Sequence, residues 1–120
     1  MDNKAQLNIS TVGDVVVVSF GGASIGMLSG IDEMAQQLRD YVAEERPKKM
    51  IVDFEGVKFF SSQVLGLLVD IWRKLTEYGG KMLICRINPQ LSRVFKITNL
   101  DRIFEFYPDR SAAIEAINRT

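Results

Sequence analysis

The 120-residue sequence contains no histidine, one cysteine and three prolines. Without an imidazole it lacks the commonest general base, the Ser/His/Asp and Cys/His nucleophile pairings, and a principal zinc ligand. No Ser-x-x-Lys pair is present either. The single cysteine excludes an internal disulfide. Cys85 sits in the apolar run Met82-Leu83-Ile84-Cys85 and reads as a buried small hydrophobe. Charge of either sign is not in excess, because fifteen Lys and Arg balance fifteen Asp and Glu. The basic stripe of a nucleic-acid binder is missing, so no nucleic-acid partner is expected. The densest basic cluster, Arg46-Pro47-Lys48-Lys49, follows Glu44 and Glu45 and reads as a solvated connection. No apolar stretch approaches the roughly 20 residues of a membrane span. The polar start Met1-Asp2-Asn3-Lys4 leads into no signal-peptide core, so a cytoplasmic chain is expected.

What is present is ordinary for a globular domain, with 47% hydrophobic and 25% charged residues. At this length one domain spanning residues 1–120 is expected. Val15-Val16-Val17-Val18, preceded by Gly13-Asp14 and followed by Gly21-Gly22, predicts an opening β-hairpin with residues 7–10 as its first arm. Ile31, Met34, Ala35, Leu38 and Val42 recur at helical spacing, with Ser29 and Asp32 as a capping-box-like start and Pro47 as the stop. Residues 50–54 predict a buried strand. Val64, Leu65, Leu68, Ile71, Trp72 and Leu75 mark a second helix, stopped by Gly79-Gly80. A strand over 81–86, a short helix opened by Asn88-Pro89, a strand over 103–107 and a closing helix carrying Ala113 and Ile117 complete the chain. The order ββαβαβαβα predicts an α/β fold whose central sheet is mainly parallel after an antiparallel N-terminal hairpin, with helices packed on it.

Two motifs invite a ligand. Gly21 and Gly26 are spaced as in a phosphate loop, but Met27 stands where the lysine must be, so the loop cannot clamp a terminal phosphate. The glycines read as a sharp turn into the first helix. Asp53 and Glu55, at the end of a buried strand, read as turn chemistry and are too few to define a metal site. No cofactor and no metal are expected, and a binding protein is expected in place of an enzyme.

The segment 52–68 carries the functional argument. It runs from a strand through a polar loop and the apolar pair Phe59-Phe60 to Ser61-Ser62 and a helix. Ser61 is expected to cap that helix with its hydroxyl, and Ser62 to lie in the first turn at the rim. A helix start is positively polarised, so phosphate on Ser62 would add charge there without unfolding the helix. The segment resembles the signature of the STAS domains of anti-sigma factor antagonists. Val52-Asp53-Phe54, Val57, Phe59, Leu65 and Gly66 match it, and Gly79-Gly80, Asn88-Pro89, Val94-Phe95 and Asn99-Leu100 fit the same family.

That resemblance implies a STAS fold and a signalling role exercised by docking on protein partners: an anti-sigma factor with serine kinase activity, and a phosphatase that resets the switch. It places the phosphoacceptor on Ser62, and Ser61, Gln63 and Val64 around it as partner-binding positions. Ser61 replaces an aspartate of the motif, Gln63 its second serine and Val64 its glycine. The stretch 22–29 also departs from the family, and Gly22 and Ser24 are candidates for partner choice there; Asn88 is a further partner-binding candidate. Two other readings stand beside the switch: an unmodified STAS scaffold in a signalling complex or transporter assembly, and a small-ligand or nucleotide-binding module.

Overall fold

A computed structural model describes residues 6–21, 24–25 and 31–119. Strands β1 (Gln6–Val12) and β2 (Val15–Gly21) form the antiparallel hairpin, with Val12 opposite Val15. Gly13 adopts φ +63° at the turn, a left-handed conformation open to glycine without a steric penalty. There follow the two-residue strand β3 (Ser24–Ile25), helix α1 (Ile31–Glu45), strand β4 (Lys49–Asp53), the two-residue strand β5 (Phe59–Phe60) and helix α2 (Ser62–Glu77). Strand β6 (Lys81–Cys85), helix α3 (Pro89–Ile97), a 3-10 turn (Leu100–Arg102), strand β7 (Glu105–Tyr107) and helix α4 (Arg110–Asn118) complete the order. The main sheet runs β1-β2-β4-β6-β7, and every pairing after the hairpin is parallel. Strands β3 and β5 pair in parallel as a separate small sheet.

Helices cover both faces of the main sheet, and this explains the unbroken valine run of β2. Val16 and Val18 pack with Met50, Val52 and Ile84 in the large cluster under α1, α2 and α3. Val15 and Val17 point the other way, joining Ile51, Leu83 and Cys85 against Ala113 and Ile117 of α4. Alternation sends successive side chains to opposite faces. A sheet buried on both sides therefore reads as continuous apolar residues.

Helix ends follow local chemistry. At the end of α1, Arg46 turns to φ +45°, donates its N–H to the Val42 carbonyl and lays its guanidinium 4.5 Å from the Tyr78 ring centre. The Tyr78 hydroxyl donates to the Pro47 carbonyl at 2.8 Å, joining the ends of α1 and α2. Gly79 at φ +85° lets the Gly80 N–H reach back to the Leu75 carbonyl at 2.7 Å, which closes α2. The expected capping role of Ser29 lies outside the described residues.

The structure differs from the sequence expectation in two places. Strands β3 and β5 are additional, because two residues show no periodicity to detect. The last strand begins at Glu105 and not at 103, because the N–H groups of Ile103 and Phe104, which follow the 3-10 turn, both donate to the Leu100 carbonyl at 3.1 Å.

Gly66 is the one glycine inside a helix among the described residues, and a Cβ placed on it meets nothing within 4 Å. Glycine in a helix interior costs about 1 kcal/mol relative to alanine. Gly66→Ala is expected to raise the free energy of unfolding by about 0.5–1 kcal/mol in urea denaturation.

Candidate functional site

In the parallel part of the sheet, the loops leading from strand to helix gather at the carboxyl edge, where such folds place their sites. Three of these loops, residues 54–61, 86–88 and 108–109, are tied together by one buried carboxylate. Asp53 ends β4 with its side chain fully buried. Arg86 binds it through two bonds, Nε to Oδ1 at 3.0 Å and Nη2 to Oδ2 at 2.5 Å. Arg110, in the first turn of α4, adds Nε and Nη2 to Oδ2 at 3.0 and 2.8 Å. The Glu55 N–H donates to Oδ1 at 3.0 Å, and the Glu55 carboxylate pairs with Arg86 as well.

Burial on its own would raise the Asp53 pKa, but the hydrogen bonds from Arg86 and Arg110 outweigh it and hold the carboxyl below the ordinary 3.8. Strand alternation puts Asp53 on the α4 face together with Cys85, whose thiol is pushed up to about 12 by burial and by the Asp53 charge. That thiol is not a nucleophile at neutral pH. The turn chemistry expected of Asp53 is present in its bond to the Glu55 amide. The two arginines have no local sequence signal, because Arg110 lies 57 residues away.

The other face of the same edge carries the serines. Consecutive strand residues point in opposite directions, and β5 obeys: Phe60 turns inward while Phe59 is 55% exposed. Phe60 contacts Phe54 with ring centres 5.7 Å apart and Phe95 with centres 5.9 Å apart, both edge-to-face. Asn88 donates from Nδ2 to the Val57 carbonyl at 3.1 Å, and its Oδ1 caps α3 by accepting from the Leu91 N–H at 2.9 Å. Loop 54–61 is thus held by stacking on one side and by Asn88 on the other.

Of the residues singled out in the sequence, Ser62 is exposed as the first residue of α2, with exposed Gln63 beside it. Ser61 occupies the N-cap position with extended backbone, and its carbonyl accepts the Val64 N–H at 3.0 Å. Its hydroxyl makes no cap bond: Oγ is buried with no hydrogen-bond partner. The expected side-chain cap is therefore corrected to a backbone cap alone. Val64 is also corrected, since its side chain is in the core at 0% exposure and not on the rim. It points along the buried stripe shared with Leu67, Leu68 and Ile71. Asn88 is half-buried and its side chain is committed to the two bonds above. Gly22 lies outside the described residues, and Ser24 is described only through its backbone pairing with Phe59. The residues 22–26 also have the Gly-x-Ser-x-Gly spacing of hydrolase elbows, but Ser24 lies in a strand and no histidine exists to activate it.

The start of α2 is electrostatically open. Helices α3 and α4 are capped by Asn88 and Asp109 side chains, whereas α2 has neither a side-chain cap nor an acidic residue in its first turn. Beside it lies a cleft of ≈ 290 Å³ bounded by Lys58, Phe59, Ser62, Leu65 and, from α3, Val94. In the sequence Phe59 stands out only as a motif match and Lys58 not at all as a binding position, although strand alternation requires one of two adjacent phenylalanines to face outward.

A family model of the STAS domain matches residues 6–113. A Thermotoga maritima protein with the provisional name of anti-sigma factor antagonist is 34% identical over 70 residues, which are 58% of this chain and 59% of that protein. The match thus covers only about three-fifths of that relative's length. An anti-sigma factor antagonist from Mycobacterium paratuberculosis superposes with TM-score 0.82 at 26% identity, covering 96% of this chain and 95% of that one. The Bacillus cell fate determinant SpoIIAA in its phosphorylated form shares the fold, with TM-score 0.70 at 18% identity over 95% of this chain and 98% of that one.

Replacing Asp53 leaves two arginines without their shared acceptor. Asp53→Asn is expected to cost about 2–3 kcal/mol at pH 7, below the roughly 3–5 kcal/mol of a fully buried pair because both arginines are partly solvated. A carboxyl with a lowered folded pKa contributes stability above its unfolded pKa and loses it as pH falls through the folded value. The difference between wild type and Asp53→Asn in urea titrations is therefore expected to narrow below pH 3.8.

Proposed function

The chain belongs to the STAS domain family, and from that premise we propose that it is a regulatory antagonist that binds an anti-sigma-type serine kinase at the rim around Ser62 and lets go when Ser62 is phosphorylated. The observation that carries this reading is the exposed hydroxyl of Ser62 at a helix start with no cap and no acidic neighbour. First-turn N–H groups left unpaired make a ready-made site for an anion. A phosphate there is held by the helix it sits on, with Lys58 on the same cleft.

The reaction is an ordinary phosphoryl transfer. The Ser62 oxygen forms the new O–P bond to the γ-phosphorus of ATP, the bond to ADP breaks, and the hydroxyl proton leaves to the kinase. In the free form, Phe59 offers apolar area beside the serine for a partner to cover. After transfer, about −1.5 to −2 charges would have to be desolvated in the same contact, which breaks it. Names of similar proteins support the antagonist role, and the same fold is known in a phosphorylated form. The partner is a protein, and the working form of the chain is a single domain in the cytoplasm.

The departures from the family motif sharpen the reading. Ser61 supplies no charge where an aspartate stands in the family, so a kinase must recognise the apolar rim and the helix start. Val64 in place of a glycine is accommodated because its side chain faces the core. Incubation with an anti-sigma-type serine kinase and ATP is expected to place one phosphoryl group on the peptide containing Ser62, read by mass spectrometry, and none on Ser62→Ala. Ser62→Asp is expected to weaken the kinase complex by at least about tenfold. A complex indifferent to Ser62→Asp would instead support a constitutive scaffold.

A further inference from the structure

On the outer side of α2 the cleft beside Ser62 is part of a longer feature. The cleft beside Ser62 meets a second one of ≈ 380 Å³ at Leu65, and together they form a groove between α2 and α3 that ends near Leu100. Its floor and walls are apolar, with Leu65, Val69, Val94 and Leu100 half-buried along them. Ile97, one turn beyond Val94 on α3, is 74% exposed. A large side chain this exposed, next to an apolar groove, marks an interaction face.

Two further observations indicate what fits. The first is charge. Lys58 and Arg73 stand at the two ends of the groove, and Arg93 lies one turn before Ile97 on the outer side of α3. All three are exposed. The carboxylate among the lining residues, Asp70, is already bound by Arg39 at 2.9 Å and approached by Lys74 at 4.0 Å, whereas no ion pair among the described residues involves these three cations. The rim therefore carries cations that a partner's carboxylates can meet. The second observation is Gly66, which lines the groove in the middle of α2. No described residue occupies the space of its missing side chain. Its flat surface lets another backbone come close.

We infer that the groove between α2 and α3 docks an acidic amphipathic helix of a partner protein. The apolar stripe of that helix lies over Leu65, Val69 and Val94, its backbone crosses at Gly66, and its carboxylates meet Lys58, Arg73 and Arg93. This is the helix-in-groove mode of recognition, read by anchors at i, i+3, i+4 and i+7. A concave groove suits a helix better than it suits the flat surface of a bilayer. The inference rests on the reading of the chain as a protein-docking module and not on phosphorylation of Ser62.

The test is a titration of the ¹⁵N-labelled full chain with a synthetic helical peptide that carries leucine at i, i+3, i+4 and i+7 and glutamate on its other face. Saturable shifts are expected at the amides of Leu65, Val69, Val94 and Thr98. Lys58→Glu combined with Arg73→Glu is expected to weaken binding by at least about tenfold, and Gly66→Leu by a similar factor. Gly66→Ala serves as the folding control, and added salt is expected to weaken the wild-type complex. The titration needs neither kinase nor ATP, and modification of Ser62 is read by mass spectrometry on its own, so that failure of the kinase reading and failure of helix docking are read separately. Absence of saturable shifts at about millimolar peptide would overturn the inference. So would anionic phospholipid vesicles that broaden these amides where the peptide does not, or a wild-type dimer that Gly66→Leu dissociates.

Discussion

Everything at the carboxyl edge depends on where α2 begins. Phe60 and Val64 are both held in the core, Phe60 by its contacts with Phe54 and Phe95 and Val64 by complete burial. Between two buried anchors four residues apart, the chain has little freedom. Ser61 must turn its hydroxyl inward, and Ser62 must face out. A shift of one residue would bury Ser62 and expose a valine. The exposure of the serine is thus a consequence of core packing, and any change in the core that moves Phe60 or Val64 moves the site with it.

The buried Asp53 serves that same constraint from the opposite face. Its two arginines bring the ends of β4, β6 and α4 together, while Asn88 fixes the intervening loop to α3. Removing two charges from water is costly, and such a cluster contributes more to a fixed geometry than to net stability when compared with an apolar equivalent. In this chain the geometry is what matters, because it sets the path from strand to helix. Arg86, Arg110 and Glu55 are the partly exposed members of the cluster, and only Asp53 is fully buried.

Much of the architecture could be read in the sequence. The valine run, the two glycine turns and the spacing of Leu68, Ile71 and Leu75 each follow from local rules, and the structure carries them in the expected order. The site was less legible. Ser62 could be placed at a helix start because Phe60 and Val64 bracket it, but the loss of the Ser61 cap depended on a hydroxyl rotated into the interior. Its place in the family motif assigns Val64 to the rim, although its helical phase with Leu68 and Ile71 already puts it on the apolar stripe, where the structure buries it. Arg86 and Arg110 were invisible as partners of Asp53, since no local pattern pairs residues 33 and 57 positions apart.

The central claim is that the open start of α2 stabilises a charged phosphate on Ser62 in the folded chain. Phosphorus NMR of the phosphorylated chain, followed across pH, measures this directly. Free phosphoserine loses its second proton near pH 6. Stabilisation of the dianion by the helix start and Lys58 predicts a midpoint clearly below that value, with the amide shifts of the folded chain retained. A midpoint at or above pH 6, or loss of the folded spectrum on phosphorylation, would contradict the account.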